Sequence, residues 1–312
     1  MKEYLVTGAG GFIGASIAEK LLKGGENKVV TIDNFTTGRR NHVPKGCEII
    51  EGNDFEDYVL AKLGNRKFEA VIHIAGQSSG EISFDDPEYD LNTNTLSTLK
   101  LLQYCKRTGC HKFIYSSSMA VYGDQKNPFV SEETTAVPKS FYAVGKLASE
   151  NYMRIFSGDD LKCTALRFFN VYGIGQNLDN LRQGMASIYL AMAIKDRHIN
   201  VKGAKDRFRD FVYIEDIVDA VLTAERAETG HNFDIFNVSC GKPQTVESII
   251  DIIRESLPYD VTVEYTAGTP GDQHGIYGHN EKIKRVLGWE PKISFNEGMR
   301  LMIEWARREI EK

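Results

Sequence analysis

A short apolar run from Tyr4 to Thr7 breaks into Gly8-Ala9-Gly10-Gly11-Phe12-Ile13-Gly14, and a helical pattern starts at once and continues to Leu22. Few connections constrain a chain more. Gly8, Gly11 and Gly14 have GxxGxxG spacing. A residue without Cβ permits the tight turn, lets backbone N–H groups approach a ligand, and lets helix and strand pack closely. The helix N-terminus adds partial positive charge, so a pyrophosphate is the ligand that suits such a loop. Glycines at a strand–helix turn with no ligand are the plain alternative. A second strand-like run, Lys28 to Ile32, ends in Asp33, where a carboxylate can accept hydrogen bonds from an adenosine ribose. Its charge would repel a 2′-phosphate, which favours NAD over NADP, although Arg39 and Arg40 stand nearby.

The alternation continues. Strands are expected at 48–51, 70–74, 112–116 and 162–168, with helices near 58–63, 91–107 and 142–156 between them. Continuous apolar strands separated by amphipathic helices indicate a parallel sheet covered on both faces, and right-handed crossovers make that a doubly wound α/β (Rossmann) fold. After about Asn170 the rhythm changes. We therefore expect an NAD-binding domain over 1–170, with return segments near 204–225 and 233–240. A smaller α/β lobe from 171–203 and 241–312 would lie across the carboxyl edge of the sheet, where ligands bind in this architecture.

The net charge of −5 argues against a nucleic-acid partner, which needs a dense cationic surface. No apolar run approaches the length of a membrane span, and no targeting segment opens the chain, so no membrane partner and a cytoplasmic location are expected. The five cysteines are scattered without a CxxC pair, and the histidines lack ligand spacing, so no metal is expected. His73, at the end of a strand, reads as a packed, hydrogen-bonded core residue.

Tyr142-Ala143-Val144-Gly145-Lys146 opens a helix, and Ser116-Ser117-Ser118 ends the strand before it. Residues four apart share a helix face, so Tyr142 and Lys146 present their side chains together. A nearby ammonium favours the phenolate, so Lys146 is expected to lower the tyrosine pKa and make Tyr142 a usable base. A YxxxK pair alone is common; it gains meaning from the glycine loop, Asp33 and the serine-ended strand that precede it in order.

With these pieces in place the chain resembles an extended short-chain dehydrogenase/reductase of the NAD-dependent epimerase/dehydratase family, over nearly its whole length. The matching motifs are TGAGGFIG, His73-Ile74-Ala75-Gly76, Asn94, SSSMAVYG, YAVGK, Arg167-Phe168-Phe169-Asn170-Val171-Tyr172-Gly173, Arg209-Asp210-Phe211, Pro270-Gly271-Asp272 and Leu287-Gly288-Trp289. The resemblance implies a catalytic set of Ser118, Tyr142 and Lys146. For NAD it implies Gly8, Gly11, Phe12, Ile13 and Gly14 around the pyrophosphate, and Asp33, Asn34, Thr37 and Gly38 around the ribose. Asn53, Asp54 and Phe55 would serve the adenine side, either Asn53 or Asp54 making the adenine contact. Ile74, Ala75, Gly76, Asn94, Ser116 and Phe169, with Tyr142 and Lys146, complete the cofactor set. For the sugar nucleotide it implies Ser118, Asn170, Val201, Arg209 and Asp272. Arg209 would pair with a diphosphate, since a guanidinium fork matches phosphate oxygens; an ion pair with Asp206 or Asp210 is the alternative.

The resemblance further implies removal of a proton from a sugar hydroxyl, most often at C4, and a 4-keto intermediate. A 4,6-dehydratase of this family has an Asp-Glu pair directly after the Ser/Thr; here Met119 and Ala120 stand there and carry no proton. The run SSSMAVYGD resembles that of UDP-glucose 4-epimerases, so a nucleotide-sugar 4-epimerase is expected. A 4-dehydrogenase or reductase that releases its keto sugar is the alternative. Thr269 and Lys202 depart from the family pattern near the nucleotide, with Arg182 and Arg207 as other cations. A homodimer through helices 91–107 and 142–156 is also implied, with Leu96, Leu99, Leu102 and Met153 supplying its apolar surface.

Overall fold

The computed structural model describes residues 1–182, 184–267 and 274–310. Five strands open the main sheet: β1 (Lys2–Thr7), β2 (Asn27–Asp33), β3 (Cys47–Glu51), β4 (Ala70–His73) and β5 (Lys112–Ser118). After the two-residue β6 (Phe129–Val130), strand β7 (Lys162–Phe168) returns to it. Then come β8 (Asn170–Tyr172), β9 (His198–Lys202), β10 (Phe208–Tyr213) and β11 (Phe233–Val238). The main sheet has the order β11-β7-β5-β4-β1-β2-β3, and every neighbouring pair in it is parallel. The strand order reverses between β1 and β4, which opens a crevice at their carboxyl ends.

Helices cover both faces. Helix α1 (Phe12–Leu22) buries Gly14, Ile17, Ala18 and Leu21 at helical spacing. The short α2 (Asp57–Ala61) precedes β4. A longer helical rod begins as α3 (Pro87–Leu91), passes through a π-turn at Asn92–Leu96 and continues as α4 (Ser97–Thr108). Gly109, in the left-handed conformation with φ 72°, ends it. Helix α5 (Phe141–Phe156) starts at Ser140, whose hydroxyl accepts the Ala143 N–H at 3.2 Å.

The second lobe is built from α6 (Met185–Asp196), the two-stranded parallel pair β9 and β13 (Thr262–Thr266), and a sheet of order β12-β10-β14-β6. Here β12 is Pro243–Thr245 and β14 is Gly275–Gly278, and β8 pairs with the later residues of β10, Phe211–Tyr213. Helices α7 (Ile214–Arg226), α8 (Val246–Ser256), α9 (Glu281–Leu287) and α10 (Phe295–Ile310) complete the chain. Among the described residues no helix is long and apolar enough to cross a membrane.

Of the segment expected to return to the NAD-binding domain near 204–225, α7 packs against α1, β5 and β7, whereas β10 pairs with β8, β12 and β14. One expectation needs correction: Leu102 and Met153 do not supply an outer surface. Both are fully enclosed in a core with Phe113 and Tyr115 from the sheet, because the stripes of α4 and α5 that carry them face inward. Leu96 and Leu99 are half-buried.

Candidate active site

The glycine loop lies at the topological switch between β1 and β4. Gly8 has φ 78°, and a Cβ there would press on the Ala75 backbone at 3.0 Å. A Cβ on Gly14 would run into the Gly8 carbonyl, so glycine at 14 is what lets α1 sit down on the loop. At Gly11 only the Gly8 oxygen lies near the missing Cβ, at 3.3 Å. Gly11 is the N-cap of α1, with no side-chain cap and no acid in the first turn, so the helix N-terminus keeps donors for an anion. Phe12 and Ile13 are half-buried beside it. Thr7 ties the two switch strands together, its Oγ1 accepting from the N–H groups of Ile74 (3.1 Å) and Ala75 (3.0 Å).

Asp33 ends β2 nearly enclosed, with Oδ2 accepting from Gly10 N (2.7 Å) and Oδ1 from Phe35 N (2.8 Å). Each oxygen keeps a lone pair for a ribose hydroxyl. Gly38 packs against the Gly10 backbone, whose carbonyl accepts from Arg39 N at 2.9 Å, and Thr37 is exposed next to it. The arginines that kept NADP in view have other partners: Arg39 pairs with Asp179 at 2.8 Å and Arg40 with Glu51.

Asn53 and Asp54 part company. Asn53 Oδ1 accepts from Asn34 Nδ2 at 2.6 Å, with Phe55 half-buried beyond. Asp54 turns inward, its Oδ2 3.6 Å from His73 Nδ1 and without a hydrogen-bond partner. Burial pushes its carboxyl up to about 7, with the Asp33 charge adding to the effect. His73 is held neutral by burial. Thr7 Oγ1 already accepts two N–H groups, so its proton goes to His73 Nδ1 at 2.8 Å. The His73 Nε2–H then donates to Ser97 Oγ (3.2 Å), whose own proton goes to Thr93 O.

The catalytic candidates converge at the carboxyl end of β5. Ser118 caps a 3₁₀ turn, Met119–Tyr122, accepting the Ala120 N–H at 3.2 Å. Met119 and Ala120 are half-buried beside it and offer no proton-carrying group. Tyr142 and Lys146 lie on successive turns of α5. The Lys146 ammonium donates to Ser116 O at 2.9 Å and stands 4.7 Å from the Tyr115 ring and 5.7 Å from that of Tyr142. Ser116 Oγ donates to His73 O at 3.2 Å.

The expected lowering of the Tyr142 pKa is corrected. Burial pushes the phenol up to about 12, opposed by a hydrogen bond with Ser118, while burial pulls Lys146 down to about 8. Desolvation, which disfavours the charged form of each group, is the largest cause at both.

Asn94 lies in the π-turn of the rod, fully buried, its Nδ2 donating to Gln77 O at 2.9 Å and to Asp90 at 3.2 Å. Its Oδ1 is enclosed and unpartnered, close against Gly76. Gln77 and Asp90 carry no motif signal. Only the four-residue spacing of Asp90 and Asn94 on one helix face hinted at them.

On the substrate side, Asn170 opens β8 with an enclosed, unpartnered Oδ1, and Phe169 is buried against Gly278. Arg209 is nearly enclosed and donates to the carbonyls of Phe208 (2.8 Å) and His274 (3.2 Å). Burial and then the neighbouring Arg207 bring it down to about 10. The ion pair with Asp210 does not form, because that carboxylate is spent on the N–H groups of Cys240, Gly241 and Gly278. Val201 lies fully enclosed in β9. Asp272 and Thr269 lie outside the described residues. Arg182 is tied to Asp85 (2.8 Å) and Glu81 (3.4 Å).

The cleft suits NAD: it brings together an uncapped helix N-terminus over glycines, the Asp33 carboxylate at the end of β2 and the enclosed acceptor of Asn94. A profile of the NAD-dependent epimerase/dehydratase family matches residues 4–239. A putative UDP-glucose 4-epimerase of Methanocaldococcus jannaschii is 30% identical, covering 97% of this chain and 98% of its own length. UDP-glucuronic acid decarboxylase 6 of Arabidopsis thaliana is 28% identical, over 96% of this chain and 87% of its own. The crystal structure of UDP-glucose 4-epimerase from Thermotoga maritima with UDP-glucose superimposes with a TM-score of 0.93 at 31% identity, covering 99% of each chain. The chain belongs to the NAD-dependent epimerase/dehydratase family and is an enzyme with NAD as its cofactor.

Proposed function

We propose that the protein is a nucleotide-sugar 4-epimerase. One observation carries the reading: Ser118, Tyr142 and Lys146 meet at one strand end, and the two positions after Ser118 supply no second acid or base. Such a set can move one proton at one hydroxyl and nothing more.

In this reading NAD held in the cleft would supply a reversible hydride acceptor for the sugar C4. Tyr142 removes the C4 hydroxyl proton, and Ser118 holds the same oxygen through its hydroxyl. Lys146, fixed on the Ser116 carbonyl, keeps a positive charge beside the phenolate. Its position also allows it to hold the nicotinamide ribose. The glycine loop and the α1 N-terminus bind the pyrophosphate, Asp33 the adenosine ribose, and Asp54 or Asn53 the adenine. Asn170 and Arg209 orient the sugar diphosphate. Inversion needs the keto sugar to turn within the cleft and take back the proton from Tyr142.

Purified protein incubated with a panel of nucleotide-sugars, and followed by NMR, is expected to interconvert C4 epimers without added cofactor. Stoichiometric NADH with a released ketone, or carbon dioxide lost from a uronate sugar, would replace the reading by a dehydrogenase or a decarboxylase.

We further propose a cytoplasmic homodimer joined through α4 and α5, where Val144 (51% exposed) and Ile155 (73%) of α5 and Leu91 (55%) at the end of α3 face outward. Exposed apolar side chains on these helices would be covered in such a pair. Sedimentation equilibrium is expected to give twice the chain mass, and a single-chain mass would remove the proposal.

A further inference from the structure

We propose that Asp90 is the counter-charge of the Tyr142–Lys146 pair and a positioning residue for it, setting the pH range in which the pair works. The inference rests on the reading of Tyr142 as base and Lys146 as its cation.

Asp90 lies in α3 with 1% of its surface exposed. Its Oδ2 accepts from Gln77 Nε2 at 2.9 Å and from Asn94 Nδ2 at 3.2 Å. Its Oδ1 is enclosed without a hydrogen-bond partner. Helix α5 meets it at Gly145, where a Cβ would stand 3.5 Å from that Oδ1 and 3.1 Å from Thr95 Oγ1. With glycine there, the carboxylate lies against the turn of α5 that carries Tyr142 and Lys146. Local structure does not call for an acid at this place: α3 is already capped by Asp86, which accepts the Tyr89 N–H. A carboxylate shielded from water in this way exerts a strong field on its neighbours.

Besides Asp90 on α3, the charged and titratable groups around the pair come from three elements and one loop. Tyr142, Lys146 and Glu150 lie on α5, Asp54 follows β3, Tyr115 lies on β5, and His73 on β4 is neutral. Of the acids, Asp90 acts most strongly on Lys146, favouring its cation, and it also disfavours the Tyr142 phenolate. Burial raises the carboxyl of Asp90 itself, opposed by its bonds to Asn94 and Gln77. Removing the charge should therefore loosen both protons of the pair, so that the whole profile moves to lower pH.

The test is a titration of NAD-loaded protein labelled with ¹³C at tyrosine Cζ, the Tyr142 resonance being identified by its loss in Tyr142→Phe. In Asp90→Asn and Asp90→Ser the Tyr142 titration is expected to fall by about one pH unit relative to wild type. The pH dependence of kcat should shift the same way, while Asp90→Glu keeps the wild-type position. An unmoved titration with activity lowered equally at every pH would overturn the proposal and leave Asp90 a strut for Asn94. Failure of both neutral variants to fold while Asp90→Glu folds would overturn it as well. Wild-type protein without turnover on any nucleotide-sugar would instead remove the catalytic reading, and the Tyr142 titration would still decide the matter of Asp90.

Discussion

Tyr142→Phe is expected to lower kcat by about 10³-fold, within the usual contribution of a general base, while NAD binding and the unfolding midpoint stay near wild type. The ring is almost enclosed on α5 beside Lys146, and phenylalanine keeps that packing. What goes is the hydroxyl, whose hydrogen bond with Ser118 helps the phenolate form. On the proposed reading the working form has Tyr142 deprotonated and Lys146 charged. With the phenol near 12 and the ammonium near 8, the share of that form grows as pH rises and stops growing once Lys146 begins to lose its own proton. Activity should thus rise through neutral pH and level off near 8, or lower to the extent that the cationic nicotinamide ring loosens both protons. Steady-state kinetics of both proteins, with ultraviolet absorbance for bound cofactor, checks this. A variant retaining a tenth of the wild-type rate would remove Tyr142 as the base.

The second large effect lies beneath the site. Arg167 on β7 and Glu150 on α5 form a buried two-pronged pair, Nε to Oε1 at 2.9 Å and Nη2 to Oε2 at 2.7 Å. Both side chains are about 95% enclosed. Ser117 donates to the same carboxylate at 2.6 Å, and the guanidinium lies 4.8 Å from the Tyr122 ring. Arg167→Met leaves Glu150 charged and sealed from water, which costs about 3–5 kcal/mol of stability. Adding Glu150→Leu should restore much of the loss, since two apolar side chains replace an expensive pair of charges. Urea unfolding of the three proteins measures both numbers, and a loss below about 1 kcal/mol in the single variant would contradict the account. Because Ser117 precedes Ser118, the single variant should also be slower.

Much of the site was legible because its signals are local. The loop from Thr7 to Gly14, Asp33 at the end of β2, and Tyr142 with Lys146 one turn on are fixed by spacing within one or two elements. The rest depends on distant partners. Strand β6 exists because Phe129 and Val130 pair with Tyr277 and Gly278, and β8 because Asn170–Tyr172 lies beside Phe211–Tyr213; three-residue runs carry no periodicity to read. The π-turn around Asn94 left no mark on the apolar pattern. Leu102 and Met153 have the right spacing for a helix stripe, but spacing alone does not say which way a stripe faces. The raised Tyr142 is the same lesson in electrostatics: the sequence places the ammonium near the phenol and is silent on the water both have lost.

The route of the chain has a consequence for its synthesis. It leaves the main sheet after Phe168, builds β8 to β10 in the second lobe, and returns to place β11 along β7 only at Phe233–Val238. Until that strand leaves the ribosome, the nascent sheet ends in β7, whose Cys163, Ala165, Leu166 and Phe168 are all buried in the finished protein. An open apolar edge of this kind invites pairing with another chain. A fragment ending at residue 170 therefore holds every glycine of the cofactor loop and both Tyr142 and Lys146, but not the strand that closes the sheet beneath them.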